Sequence, residues 1–279
     1  MPSNEQLDST PAIPNMEFLR KTKSRYRSLP IDVTDVRYSE PVVPISDYGI
    51  AGQSYYSRPN ATFDKPLEGV GSHILLRESV VQTLAKINDH LAERAMTRYF
   101  GKEVELYVEE GIRLYNVQSH LFYNAIPHLI REQNPDLLTH EIDEKVAAVI
   151  AKPTQNIHSP SPHSTGGAFD LILREKQTTP SFVEGAALHF GFKDGELGSV
   201  IQPDYYEKYL STHKDDDIAR QNRRAFYAIM TGQTSDLRTN FSVNPDEIWH
   251  WSRGDQLASH VSGRPAYYSI PPSLPPRSR

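Results

Sequence analysis

An aspartate in the middle of an apolar strand restricts what this chain can become. Residues 166–173 read Gly-Gly-Ala-Phe-Asp-Leu-Ile-Leu. At the strand period of two, Phe169, Leu171 and Leu173 share one face, and Ala168, Asp170 and Ile172 share the other. An ionised carboxylate on a packed apolar face is costly unless something compensates it. The compensation must come from a bound cation, a basic side chain or water at a sheet edge. Gly166 and Gly167 permit a tight turn just before the strand, which can swing His163 back over Asp170. Taken alone, the stretch also reads as a surface hairpin with an exposed Asp and a nearby His.

The chain contains no cysteine, so any metal must be held by His, Asp or Glu, and neither disulfides nor a thiol nucleophile is available. Its 279 residues, 38% hydrophobic, suit one large soluble domain or two small ones. A net charge of −5 argues against a nucleic-acid partner. The basic run Arg20 to Arg27 is short and near the terminus, and is expected to be a solvated arm. No apolar run approaches the roughly 18 residues of a membrane span. The opening residues lack the basic and apolar regions of a signal peptide, so the expectation is a cytoplasmic protein with no membrane partner.

Residues 1–45 are rich in Pro, Ser and charge and are expected to form an extended arm. Residues 266–279 are Pro-rich and read as a semi-rigid tail. Residues 46–265 between them form the folded domain. Val80, Val81, Leu84, Ile87 and Leu91 recur at helical spacing, predicting a helix over 78–93. Further helices are expected over 117–131 (disturbed by Pro127), 141–150 and 216–230. Strands are expected over 103–108, 168–173, 181–186 and 247–251. Helices and strands do not alternate regularly, so the pattern predicts an α+β fold around a small antiparallel sheet rather than a doubly wound one.

A second cluster, Asn244 to Asp255, places Glu247, His250 and two tryptophans within five residues. In an extended segment His250 points away from Trp249 and Trp251. His163, Asp170 and His250 together supply the donor types of a catalytic zinc site with one position left for water. Glu247, one shell out, is placed to take a proton from that water. By itself this cluster also reads as a loop with a core histidine. His140-Glu141 begins like a zincin helix, but the second histidine is missing. There is no P-loop, no dinucleotide fingerprint and no nucleophile elbow.

The pair Ser161-x-His163-x-x-Gly166-x-Ala168-x-Asp170 and Glu247-x-Trp249-His250 resembles the signature of the D-Ala-D-Ala zinc metallopeptidases. That group shares its fold with lysostaphin-type endopeptidases and the Hedgehog signalling domain, and its VanX-type D-alanyl-D-alanine dipeptidases are most similar. The stretch 74–89 before the strand 105–113, and Asn222 to Gly232 before the glutamate motif, extend the resemblance over roughly Asp47 to Asp255.

The resemblance implies a central sheet carrying one zinc ion on His163, Asp170 and His250, flanked by helices. It makes Glu247 the general base and Arg113 the cation that steadies the carbonyl oxygen as it becomes an oxyanion. Ser161 would line the substrate pocket. Two positions depart from the family pattern. Leu114 follows Arg113 where the family has proline. In Val183 to Phe192, His189 stands where a family aspartate helps hold the substrate's ammonium group, and a neutral histidine is a weaker partner there; Glu184 and Asp194 are nearby carboxylates. The implied activity is hydrolysis of D-Ala-D-Ala or a related short peptide with D residues. The alternatives are a cytoplasmic peptidase acting on peptidoglycan fragments and a non-catalytic zinc-binding module. Retention of Glu247 argues against the last.

Overall fold

The computed structural model describes residues 10–274 apart from 61, 68–69, 72, 197, 210–212 and 235–236. The last five residues of the Pro-rich tail and the first nine of the arm therefore lie outside the described residues. The fold is mixed α+β. Its main sheet has five strands in the order β2-β4-β5-β7-β6, and β1 and β3 form a separate antiparallel pair. These strands are β1 Val42–Pro44, β2 Ala51–Gly52, β3 Leu75–Arg77, β4 Val104–Glu110, β5 Ala168–Glu175, β6 Ser242–Asn244 and β7 Glu247–Ser252. The sheet is antiparallel except at its edge, where β2 runs parallel to β4, a departure from the all-antiparallel expectation.

One face of this sheet is the core. Phe169, Leu171 and Leu173 of β5 are fully buried with Trp251 of β7. They pack with α2 (Glu78–Leu91) and α8 (Lys214–Met230) in one hydrophobic cluster. Val80, Val81, Leu84, Ile87 and Leu91 of α2 are all inaccessible to solvent, as their spacing predicts. Each such side chain contributes about 1.5–3 kcal/mol by leaving water. Helix α8 begins with Asp215, Asp216 and Asp217 at its positive end.

A second, smaller cluster joins α4 (Tyr115–His120), α5 (Ile126–Gln133) and α6 (Thr139–Val149). The turn Leu121–Ala125 between α4 and α5 is π-helical. Pro127 lacks an N–H and its ring would strike the carbonyl of Tyr123, so the helix widens ahead of it instead of stopping.

Two further expectations fail. Residues 181–186 are turns and bends rather than a strand, and Gly185 takes a left-handed φ of 74° that a strand cannot use. The arm is not extended over 17–28. It forms α1 (Glu17–Thr22) and a 3-10 turn (Lys23–Ser28). The buried Asp204 anchors it, accepting from both Nη1 (2.8 Å) and Nη2 (2.9 Å) of Arg20 and from the Met16 N–H (2.9 Å). Among the described residues no helix is long and apolar enough to cross a membrane.

Candidate metal centre

The face of the sheet opposite the core carries Asp170 and His250. These two residues are direct partners across β5 and β7, and facing residues of an antiparallel pair project their side chains to the same side, roughly 5 Å apart. The sheet register alone therefore brings two donors together.

His163 arrives from outside the sheet, on a 3-10 turn over Pro162–Ser164. Gly166, with φ +77°, turns the chain back into β5. Arg77 clamps this loop: its N–H donates to Gly166 O (2.9 Å) and its Nε to Thr165 O (2.9 Å). At the end of β4, the Arg113 N–H donates to His163 O (2.9 Å). The His163 ring lies with Nδ1 3.0 Å from Gly111 O. A carbonyl can only accept, so Nδ1 donates to it, and Nε2 is the ring atom turned toward the sheet.

Nε2 lies 3.0 Å from His250 Nδ1 and 3.4 Å from Asp170 Oδ2. Asp170 Oδ1 lies 3.0 Å from His250 Nδ1 but off the line of a hydrogen bond, and it is buried with no hydrogen-bond partner. All three side chains offer donor atoms within 4.8 Å of one another and could hold a metal ion. Burial by itself would raise the Asp170 carboxyl, yet His163 and His250 hold it well below the usual carboxylate range. It stays ionised, as a ligand must. Two imidazoles and a carboxylate, converging with an unsatisfied oxygen and no sulfur, suit a divalent transition-metal cation.

Glu247 opens β7 beside this group, its Oε2 3.9 Å from His250 Nδ1. Asn244 Nδ2 donates to the same oxygen (2.7 Å). Burial lifts the Glu247 carboxyl above its usual range, against the pull of His250 and Lys23. Arg113 is buried, with Nη1 donating to Gln118 Oε1 (3.0 Å) and Nη2 to Tyr56 OH (3.3 Å). Its Nη2 also lies 3.8 Å from Asp170 Oδ2.

A cleft of about 240 Å³ lies over these residues, lined by Ser161, His163, Asp170, Glu247, His250 and Arg113 among others. Six of the seven candidates from the sequence thus share one cleft. His189 does not: it is exposed and absent from the lining, its carbonyl accepting from Asn222 Nδ2 (2.7 Å). Of the two nearby carboxylates, Glu184 is exposed away from the cleft while Asp194 lines it, accepting from Tyr55 OH (2.9 Å). Glu109 also lines the cleft, and burial lifts its carboxyl to about 7 against the pull of Arg58.

The sequence reading missed Tyr56, Gln118 and Asn244. Only Asn244 left a local signal, as the first residue of the turn that precedes Glu247.

No protein-family model matches the chain. It is 29% identical over 120 residues to a D-alanyl-D-alanine dipeptidase of Synechocystis sp., a match covering 42% of this chain and 43% of that protein. The chain thus spans less than half the length of this curated relative, and it is to a dipeptidase that the matched part is similar.

Proposed function

We propose that the chain is a zinc-dependent peptidase that hydrolyses D-Ala-D-Ala or a related short peptide containing D residues. The observation that carries this reading is the convergence of His163, Asp170 and His250, with the half-buried carboxylate of Glu247 beside them. The similarity to a dipeptidase over part of the chain supports it.

A zinc ion on these three residues would supply a Lewis acid and bring the acidity of water near neutrality. The residues supply the rest. His163 is oriented by Gly111 O, and Asp170 contributes the negative charge that favours a divalent cation. Asn244 holds Oε2 of Glu247, leaving Oε1 to take a proton from the attacking water and pass it to the departing amine nitrogen. The raised proton affinity of Glu247 suits both halves of that transfer. Arg113, held by Gln118 and Tyr56, presents a fixed cation to the carbonyl oxygen as negative charge develops on it. Asp194 gives the cleft a carboxylate for a substrate ammonium group, the role His189 cannot fill from its position outside the lining.

The cleft also reaches apolar side chains of α5 and α6, Ile126, Leu129 and Val149. That reach favours a second reading, a peptidase of peptidoglycan fragments longer than a dipeptide. The test is release of D-alanine from D-Ala-D-Ala and from a muramyl pentapeptide by zinc-loaded protein, run beside Glu247→Gln. Release lost by about 10²-fold or more in the variant supports the peptidase. Faster cleavage of the pentapeptide selects the second reading. No release from either substrate removes both.

A further inference from the structure

The N-terminal segment that reads as a solvated arm is a wall of the cleft. Lys23 and Tyr26 both line it. Arg20, anchored on Asp204, also donates through Nη1 to Pro245 O (2.8 Å), and Lys23 Nζ lies 2.7 Å from Asp246 Oδ2. Pro245 and Asp246 form the turn that leads into Glu247. On the other side, Arg27 Nη2 donates to Ser159 O (2.8 Å), two residues before Ser161. The segment thus spans both loops that deliver the site.

Three side chains of fixed positive charge line the cleft among the described residues: Lys23, Arg113 and Lys193. Arg113 is buried and already engaged with Gln118, Tyr56 and Asp170. Lys193 is exposed. Lys23 is different, with its side chain only 22% exposed. Asp246 occupies part of the Lys23 ammonium, which has three donors, and steers it without exhausting it. Position across the sheet gives the cleft a direction. In the order β4-β5-β7-β6, Glu109 stands on β4, Asp170 and His250 on the middle strands, and the Asp246 turn between β7 and β6. Lys23 therefore lies on the β7–β6 side of the metal group, and Glu109, paired with Arg58, on the β4 side. A substrate carboxylate entering near Asp246 and Glu247 meets two like charges, and Lys23 is the cation held beside them.

Building on the peptidase reading, we propose that Lys23 binds the free carboxylate of the substrate and makes this cleft selective for peptides ending beside the scissile bond. Neither the basic run nor the metal motif contains this assignment. A single half-buried ion pair such as Lys23–Asp246 contributes about 1 kcal/mol to folding, so variants at Lys23 remain folded.

The test compares D-Ala-D-Ala with its C-terminal amide on full-length, zinc-loaded wild type, Lys23→Met and Lys23→Arg. Lys23→Met is expected to raise KM for the free acid about tenfold or more while kcat changes little, in line with loss of one charge-assisted contact. KM for the amide stays unchanged, and Lys23→Arg recovers most of the loss. Calorimetric titration of both compounds into metal-free protein should give the same order of affinities without turnover. An equal loss on acid and amide overturns the proposal in favour of a positioning effect through Asp246. An unchanged KM, or equal binding of acid and amide by the wild type, also overturns it. If the wild type binds the acid through Lys23 but cleaves neither compound, the peptidase reading fails and the carboxylate site stands.

Discussion

Asp170 and His250 face one another directly across β5 and β7, with Asp170 Oδ1 3.0 Å from His250 Nδ1. Two of the three candidate ligands are therefore set by sheet register, and a slip of one residue would send one of them into the core. The third, His163, depends on a loop that is clamped by Arg77 and turned by glycine. Rigid strands carry the paired donors, and the loop closes the set from above.

The loop is sensitive to a single methyl group. A Cβ on Gly167 would lie 2.3 Å from Arg253 O and 2.8 Å from Tyr268 Cδ2. Gly167→Ala is expected to cost roughly 1–3 kcal/mol in urea denaturation through overpacking. Gly71→Ala, whose Cβ would come no closer than 4.0 Å to another atom, serves as the control and should change stability by less than about 0.5 kcal/mol. Equal effects at the two sites would contradict the close packing of this turn.

Glu110 gives the metal-free fold a pH dependence. Burial lifts its carboxyl from 4.5 to about 7, against the pull of Arg113. Between those values the folded state binds more protons than the unfolded chain, so stability falls as pH rises through the window and levels off above it. Glu110→Gln, which keeps an acceptor for the Ser54 hydroxyl, should stabilise metal-free protein by roughly 1–3 kcal/mol at pH 8 and hardly at all at pH 4. Denaturation curves at the two pH values decide this, and an equal effect at both would contradict it.

Much of this was legible in the sequence because it is local. The helical spacing of Val80 to Leu91 and the alternation about Asp170 report directly on the faces they bury. Glycines before a strand suffice to suggest that His163 folds back. The arm was misread because its anchor, Asp204, is 184 residues from Arg20, and no periodicity marks such a pair. His189 was placed by motif position alone, whereas the backbone around Gly185 turns the segment so that His189 faces solvent and Asp194 lines the cleft. The Tyr56 and Gln118 contacts to Arg113 likewise join elements with no shared local pattern.

In the proposed mechanism Arg113 acts in the transition state. Arg113→Lys keeps a charge but loses the planar fork engaged by Gln118 and Tyr56. Steady-state kinetics should show kcat down by about 10²-fold with KM and bound metal little changed. A rise in KM alone would assign Arg113 to ground-state binding instead.

Whether one cation sits among His163, Asp170 and His250 is decided most directly by metal analysis after dialysis against zinc, joined to X-ray absorption at the zinc edge. The wild type should retain one zinc per chain with nitrogen and oxygen neighbours at about 2.0–2.2 Å. Asp170→Asn and His163→Ala should each lose it while remaining folded. Zinc retained equally by both variants, or no stoichiometric zinc in the wild type, would contradict the metal centre.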